Sequence, residues 1–299
     1  SPDGEVVGDL VFRGLALRGN CRRTGNSVVG GDPVTGDGWD MSHKAISSFG
    51  VVEGLLVENC LLEGWRGEII YGGSRGVRGL RIVDSTIANC NASAVSTGDV
   101  VIESSEIYNC LNGVENFGHD GAMTTIRDSE IRDCTSGVVY IGQLRASLVV
   151  EDSLIRNCKW AFFFANFAHH VRLERNTVRD CEVFVFAIDH GAYPAERVGH
   201  EGFSSFRITD NVIDGRTRSS HRVIYWQGHA GAPMRDWLVA DNRVGPGNWK
   251  TFVLEYYGSE RAEPRSLGLE RNLLPRGVRP YFLGKSSKGV PPRPRIIQR

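Results

Sequence analysis

Histidine side chains offer the clearest acid–base chemistry in this sequence. Only five of its 35 basic residues are lysine, so lysine is a scarce alternative base. An imidazole has an unperturbed pKa of about 6.5 and can take a proton from a carbon next to a carboxylate near neutral pH. Histidines and other polar groups recur at intervals, as Gly118-His119-Asp120, Gln143 and Arg145, His169-His170, Asp189-His190, and Gly228-His229. This spacing predicts that the groups line one edge of a repeating structure.

Proton abstraction next to a carboxylate also needs partners for the base. Arg145, or alternatively Arg222, can neutralise the substrate carboxylate through a bidentate contact. A phenol such as Tyr140, Tyr225 or Tyr257 can exchange a proton. With His119 as the leading base, the candidate catalytic residues are His119, Asp120, Arg145, His169, His190 and Tyr257. Nearby residues predicted to contact a substrate are Glu115, Tyr140, Phe163, Asp189, Trp226, His229, Glu255 and Tyr256.

The same groups allow two other interpretations. One is a divalent metal bound by side chains among His119, Asp120, His169, Asp189 and His190, although no His-x-x-x-His or comparable signature is present. Ca²⁺ held by Asp120 and Asp189 is an alternative to a transition metal. The acid–base interpretation itself requires no cofactor. The other interpretation is that the histidines are solvated turn residues without a chemical role.

Short blocks of one design recur along the chain and define the elements that position these groups. Each block contains a strand, a two-residue polar corner and a second strand, as in residues 55–62 and 100–107. The corner residues are Cys60, Ser85, Ser105, Ser129, Ser153, Asn176, Asn211, Asn242 and Asn272, which sets a period of about 20 to 35 residues. Small polar side chains fit there because they satisfy a sharply bent backbone and stack on their copies. An aliphatic residue follows each corner after two positions, which predicts an inward stack.

A third strand follows in every repeat, over residues 68–71, 94–97, 113–117, 137–141, 161–165, 183–188, 222–227, 251–257 and 280–283. These features predict an all-β fold, a single right-handed parallel β-helix of about nine to ten coils with three strands per coil. A β-propeller or sandwich is disfavoured because hairpin turns do not recur about every 8 to 12 residues. We expect one domain over residues 1–284, with a first coil and an irregular capping region in 1–50, and a basic, Pro-containing tail over 285–299.

The cysteines agree with this register. Cys90, Cys110, Cys134, Cys158 and Cys181 each lie three residues after the inward aliphatic residue of their repeat. They are predicted to form a buried ladder of small apolar side chains, since no Cys-x-x-Cys pair is present. Disulfides between neighbouring coils are an open alternative, so the cysteines do not define a redox compartment.

The outer face of the third strand is predicted to be unusually apolar. Strand alternation places Val114, Val138, Phe162, Phe184, Val223 and Phe252 inside, and Glu115, Val139, Phe163, Val185, Ile224 and Val253 outside. Such a stripe indicates a ligand groove, a surface covered by an insertion, or a homo-oligomer interface. The longest irregular segment, residues 190–204, lies at the same edge and predicts one wall of a cleft. Lys44, just before the first of the third strands, is interpreted as part of the cap of the solenoid, with a catalytic base as the alternative.

The composition restricts the partners. The chain has 35 acidic and 35 basic residues, which gives no charge bias toward nucleic acid or a membrane surface. No apolar run approaches the roughly 20 residues of a membrane-spanning helix. The expected partner is a polysaccharide or small-molecule substrate, with no nucleic acid and no membrane. Because the sequence begins at Ser1, removal of a signal peptide is an open alternative, and we favour a secreted or periplasmic location over a cytoplasmic one.

This repeat pattern resembles the pectate lyase-like superfamily of right-handed β-helices over nearly the whole chain. That superfamily includes polysaccharide lyases, uronan C5-epimerases, glycoside hydrolases and non-catalytic scaffolds. The resemblance implies a substrate along the sheet of third strands. Residues 113–120 also resemble the strand-end segment of alginate C5-epimerases, in which an Asp-Pro-His-Asp motif supplies a histidine base. His119-Asp120 matches its second half, whereas Phe117-Gly118 replaces Asp-Pro, so the similarity implies the base and not an alginate substrate.

Three functions follow from these observations. The first is an enzyme that acts on a uronic-acid-containing polysaccharide by His-mediated C5 proton abstraction, as a lyase or an epimerase. The second is an isomerase or cyclase that acts on a partly apolar small molecule in the same groove. The third is a non-catalytic glycan-binding scaffold. The recurring histidines favour catalysis, whereas the apolar stripe supports the small-molecule alternative.

Overall fold

The computed structural model describes residues 7–20, 43–48, 51–72, 77–116, 121–141, 146–165, 168–188, 203–215, 221–228, 234–257, 266–284 and 295–297. In this part of the chain the regular structure is entirely β-strand. It contains no helix that is long and apolar enough to cross a membrane.

The strands of the described residues are arranged in three long sheets and one short sheet. The first sheet contains β2 (Val11–Arg13), β6 (Leu56–Glu58), β10 (Leu80–Val83), β13 (Val100–Glu103), β16 (Met123–Arg127), β19 (Ser147–Glu151), β22 (Ala168–Glu174), β25 (Phe203–Thr209), β28 (Met234–Ala240), β31 (Ser266–Glu270) and β33 (Arg295–Ile297). The second contains β3 (Ala16–Arg18), β7 (Leu61–Trp65), β11 (Thr86–Cys90), β14 (Glu106–Tyr108), β17 (Glu130–Arg132), β20 (Leu154–Arg156), β23 (Thr177–Cys181), β26 (Val212–Gly215) and β29 (Arg243–Val244).

The third sheet is made of the predicted third strands, and the short sheet lies at the N-terminal end. The third sheet contains β4 (Ile46–Ser47), β8 (Ile70–Tyr71), β12 (Ser93–Ser96), β15 (Asn112–Asn116), β18 (Ser136–Ile141), β21 (Trp160–Ala165), β24 (Val183–Ile188), β27 (Arg222–Gly228), β30 (Thr251–Tyr257) and β32 (Arg279–Gly284). The short sheet contains β1 (Val7–Gly8), β5 (Val52–Glu53) and β9 (Val77–Arg78).

From β10 to β30, consecutive strands enter the first, second and third sheets in turn, so each of these coils contributes one strand to each sheet. Equivalent strands of neighbouring coils pair in parallel, as β10 does with β13 and β13 with β16. The predicted all-β, right-handed parallel β-helix with three strands per coil is confirmed. The segment predicted as a tail contributes β33, which pairs with β31 in the first sheet.

The polar corners between the first and second sheets form one hydrogen-bonded ladder, as predicted. The backbone N–H of each corner residue donates to the side chain of the next: Ser105 to Ser129 Oγ at 3.2 Å, and Asn211 to Asn242 Oδ1 at 3.0 Å. The residue before each corner has a positive φ, for example 51° at Asp128. Asp and Asn tolerate this left-handed conformation because their short side chains bond to the local backbone.

The interior is a stack of aliphatic side chains lined by cysteines. The residues that follow the corners by two positions, from Leu62 through Ile131 to Ile213, are buried. Cys90, Cys110, Cys134, Cys158 and Cys181 form no disulfides and are at most 1% exposed. These cysteines therefore fill the corner between the second and third sheets as apolar residues, as predicted, and burial raises the pKa of the Cys110 and Cys158 thiols.

Candidate active site

The outer faces of the first and second sheets carry charged side chains that are open to solvent. On the second sheet, Arg156 Nε lies 2.7 Å from Glu130 Oε1, and these side chains are 41% and 31% exposed. On the first sheet, Arg207 pairs with Asp236 at 3.0 Å, again with both side chains exposed. Solvated pairs of this kind contribute little to stability and indicate ordinary solvent-facing surfaces.

The third sheet differs, because charged side chains on its outer face in the first coils are withdrawn from solvent. Lys44 Nζ lies 3.1 Å from Glu68 Oε2, and the two side chains are only 3% and 10% exposed. The same ammonium group lies 3.5 Å from the centroid of the Tyr71 ring. A buried ion pair is costly to desolvate, so its presence on a surface sheet is characteristic of functional sites more than of stabilising surface networks.

The neighbouring coils extend this arrangement through Ser93 and Glu115. Strand β12 pairs with β8 and β15 so that Tyr71, Ser96 and Glu115 lie side by side on three successive coils. Ser93 Oγ donates a hydrogen bond to Glu115 Oε2 and accepts one from Asn112 Nδ2 at 3.2 Å. Glu115 is half-buried, whereas Ser93 is buried. We call Lys44, Glu68, Tyr71, Ser93 and Glu115 the polar cluster.

The electrostatics of the polar cluster favour a protonated Glu115. Burial raises the pKa of the Glu115 carboxyl, and the nearby negative charge of Glu68 raises it further, while the hydrogen bond from Ser93 lowers it. Burial also raises the pKa of the Tyr71 phenol, followed by the charges of Glu68 and Glu115. A half-buried carboxyl that retains its proton above the ordinary range is suited to general acid catalysis.

Beyond the polar cluster, the outer face of the third sheet carries an aromatic ladder formed by Trp160, Phe163, Phe186 and Tyr225. Phe186 stacks on Phe163 with ring centroids 5.5 Å apart and on Tyr225 at 5.1 Å. All four side chains are half-buried. Because the rings stack on one another, their faces are largely covered and mainly their edges are left for a ligand.

The aromatic ladder corrects the predicted register of the apolar stripe. Val139 and Phe163 lie in the outward column as expected, but its next members are Phe186, Tyr225 and Leu254. The residues predicted to follow outward, namely Val185, Ile224 and Val253, are buried. Strict alternation fails at the start of these strands, because two successive side chains, such as Phe184 and Val185, enter the core where the chain rounds the corner.

Two aromatic residues predicted to contact a substrate lie in the core. Tyr140 is 0% exposed and its hydroxyl donates a hydrogen bond to the Ala146 carbonyl oxygen at 3.0 Å. Burial also raises its pKa. Trp226 is 0% exposed and packs edge-on against Phe203, with ring centroids 6.3 Å apart. Both residues point inward on their strands, so a ligand on the outer face does not reach them and the prediction is wrong for them.

His169 is buried as well, although it was predicted to line the groove. Only two residues separate β21 from β22, so His169 already belongs to the first sheet, where it pairs with Ser204. Its Nδ1 atom lies 2.8 Å from Ser204 Oγ, and the residue is 1% exposed. This position does not fit a role in direct contact with a polymer.

The remaining candidate residues lie outside the described part of the structure, wholly or in their side chains. His119, Asp120, Arg145, Asp189, His190 and His229 lie outside the described residues. Glu255, Tyr256 and Tyr257 belong to β30, which pairs with β27. Among the residues that the structure describes, no group of three or more His, Cys, Asp or Glu side chains could hold a metal ion.

Comparison with known families agrees with this architecture. The family model described as "Right handed beta helix region" matches residues 40–178 and 69–231. The chain belongs to this family. A search of curated proteins and a search of solved structures gave no significant match. The right-handed β-helix family is compatible with enzymes that act on polysaccharides and with binding scaffolds.

In this β-helix protein, the polar cluster is the part of the site that sequence reasoning missed, apart from Glu115. Lys44 was interpreted as part of a cap, Glu68 and Tyr71 were counted only as strand residues, and Ser93 was not singled out. A signal was present, because Ser93, Asn112 and Ser136 stand at the position of the third strand that Trp160 and Val183 occupy in later coils. The change from polar to apolar residues at this position marks where the outer face of the third sheet changes from the polar cluster to the aromatic ladder.

Proposed function

We propose that this β-helix protein is a carbohydrate-active enzyme that acts on a uronic-acid-containing polysaccharide by C5 proton abstraction, as a lyase or an epimerase. The observation that carries the proposal is the buried Lys44–Glu68 pair, with Glu115 beside it, on the outer face of the third sheet. Ionisable groups withdrawn from solvent on one surface favour catalysis over a scaffold, which has no need of them.

The geometry of the sheet suits an extended polymer. Neighbouring coils are about 4.8 Å apart, so a chain that runs along the solenoid meets a new set of side chains at each coil. The polar cluster occupies the early coils and the aromatic ladder the later ones, which provides a polar and an apolar part along the same face. A polymer with charged groups and sugar CH surfaces combines both properties.

The histidine base of this proposal follows β15 in the sequence. His119 follows Asn116, the last residue of β15, by three positions, and Glu115 lies on that strand. In the proposed reaction, His119 takes the C5 proton and Arg145 neutralises the adjacent carboxylate, which stabilises the carbanion that forms. This step needs no cofactor. The alternative that Asp120 and Asp189 bind Ca²⁺ is tested by measuring the activity in the presence of a chelator.

A panel of polymers tests the proposal. Purified protein is incubated with alginate, pectate and glycosaminoglycans, and the absorbance of the unsaturated uronate product is followed together with the epimer ratio. We expect turnover of at least one polymer and its loss in His119→Ala. The matched control is His221→Ala, because His221 is exposed and lies where the third-sheet strand β27 begins. Equal loss in both variants, or no turnover of any polymer, contradicts the proposal.

A second candidate is an isomerase or cyclase for a partly apolar small molecule. The half-buried aromatic ladder favours it, because four aromatic side chains on a surface sheet form an apolar patch. The test uses the fluorescent apolar probe 8-anilinonaphthalene-1-sulfonate. We expect binding that Phe186→Ala weakens and that Met123→Ala, an exposed residue of the first sheet, leaves unchanged. Absence of probe binding, with a dimer on size exclusion, would assign the ladder to a homo-oligomer interface instead.

A further inference from the structure

We propose that Glu115 is the proton donor of this site and that Ser93 and Glu68 are positioning residues for it. The inference rests on the proposed function and names the group that completes the reaction. Glu115 is the one member of the polar cluster that combines a titratable carboxyl with a half-buried position on the outer face, whereas the side chains of Lys44 and Glu68 are only 3% and 10% exposed.

The contacts of Glu115 are those of a carboxyl held in one place. Ser93 Oγ donates to Oε2, and Asn112 Nδ2 in turn donates to Ser93 Oγ at 3.2 Å, which fixes the hydroxyl. On the side of β18, the neighbours of Glu115 and Asn112 are Val139 and Ser136, which carry no charge. Oε2 is therefore engaged by Ser93, and we assign the contact with the substrate to the other carboxyl oxygen.

Among the residues that the structure describes, the charged and titratable groups around Glu115 come from the coils before it. They are Glu68, Tyr71 and Lys44. Lys44 pairs with Glu68, with Nζ 3.1 Å from Glu68 Oε2. The Glu68 charge opposes ionisation of Glu115, so the pair acts on the donor through electrostatics and does not touch the substrate.

The proposed step balances as follows for the lyase. His119 takes the C5 proton, the C4–O4 bond breaks, the C4–C5 double bond forms, and O4 receives the proton of the Glu115 carboxyl. For an epimerase, no bond to O4 breaks, and the Glu115 proton goes to the face of C5 opposite the one that lost its proton. In both cases Glu115 ends as a carboxylate and His119 as an imidazolium, and transfer of the imidazolium proton to Glu115 through water restores both groups.

The test separates the two halves of the reaction with Glu115→Gln. Gln can still accept the Ser93 hydrogen bond but has no proton to give at the required acidity. We expect product formation to fall by about 10²-fold or more, with KM little changed, while exchange of the C5 hydrogen with D₂O continues, because His119 is intact. Glu130→Gln on the second sheet is the matched control and should leave both rates unchanged.

A substrate-free measurement keeps this inference apart from the proposed function. The carboxyl of Glu115 is titrated by ¹³C NMR in protein labelled at glutamate. Its signal is assigned as the one that is missing in Glu115→Gln. We expect its midpoint above the ordinary value of about 4.3, higher still in Ser93→Ala and lower in Glu68→Gln. An ordinary midpoint that neither variant moves would overturn the inference, as would full product formation by Glu115→Gln on a polymer that the wild type converts. If no polymer is converted but Glu115 titrates as expected, the proposed reaction is wrong and Glu115 remains a proton donor for another substrate.

Discussion

The ammonium group of Lys44 lies 3.1 Å from the Glu68 carboxylate in a position where both side chains are almost wholly buried. Removing one partner leaves a buried charge uncompensated. Lys44→Met is therefore expected to lower the free energy of unfolding by about 3 to 5 kcal/mol, and Lys44→Met combined with Glu68→Leu should recover most of that loss. Urea denaturation measures both. For comparison, Arg156→Met on the exposed second-sheet pair should cost at most about 1 kcal/mol, and equal costs at the two sites would contradict the burial of the Lys44 pair.

Glu115 should make the stability of the protein depend on pH. Since burial and the Glu68 charge raise its pKa in the folded state, the folded protein holds the proton more tightly than the unfolded chain does. Stability is thus lost as pH rises from the unfolded pKa of about 4.3 through the folded pKa. Glu115→Gln is expected to be more stable than the wild type at pH 8 and to match it near pH 3.5, measured by urea midpoints. A difference that is the same at both pH values would refute this account.

The corner ladder makes a graded prediction about buried hydrogen bonds. Asn211 Oδ1 accepts from the Asn176 N–H at 3.0 Å, and Asn211 Nδ2 donates to the Leu173 carbonyl at 2.9 Å. Asn211→Ala leaves both backbone groups unsatisfied in the core and is expected to cost about 3 kcal/mol. Ser129→Ala leaves the Ser105 N–H without its partner and should cost about half as much. Chemical denaturation measures the free energy of unfolding of the two variants. An Asn211→Ala variant as stable as the wild type would contradict the role of these hydrogen bonds.

The cysteine ladder should be inert in the native protein. Six of the seven cysteines are described, and all six are buried and form no disulfide. Burial raises the pKa of the Cys110 and Cys158 thiols, which further suppresses the reactive thiolate. At most one thiol per chain should react with iodoacetamide at pH 8, and all seven in denaturant, as counted by mass spectrometry. Several modified cysteines in the native state, or disulfide-linked peptides, would contradict the prediction.

The repeat could be predicted from sequence because its strongest signal is local. A small polar residue at every corner, from Ser85 to Asn272, fixes where each coil bends, and the aliphatic residue two positions later fixes which way the next strand faces. The boundaries of the third strands followed from these corners, and Val183–Ile188 and Thr251–Tyr257 agree with the prediction at both ends.

The candidate site was harder to predict because it depends on contacts between coils. Nothing in the local sequence shows that Lys44 reaches Glu68, or that Ser93 meets Glu115 on the next coil. Trp226 was misassigned together with the register of its strand, because Ile224 was placed outward and the structure puts Tyr225 there. Tyr140 follows the outward Val139, so strand alternation already places it inside.

The most direct test of the central claim is the exchange of the C5 hydrogen of polyuronates in D₂O, followed by ¹H NMR. This exchange reports proton abstraction whether the enzyme is a lyase or an epimerase. The account predicts that the C5 signal of at least one of alginate, pectate or a glycosaminoglycan disappears with the wild type and with His221→Ala, and persists with His119→Ala. A C5 signal that the folded wild-type protein leaves unchanged in every polymer would contradict it.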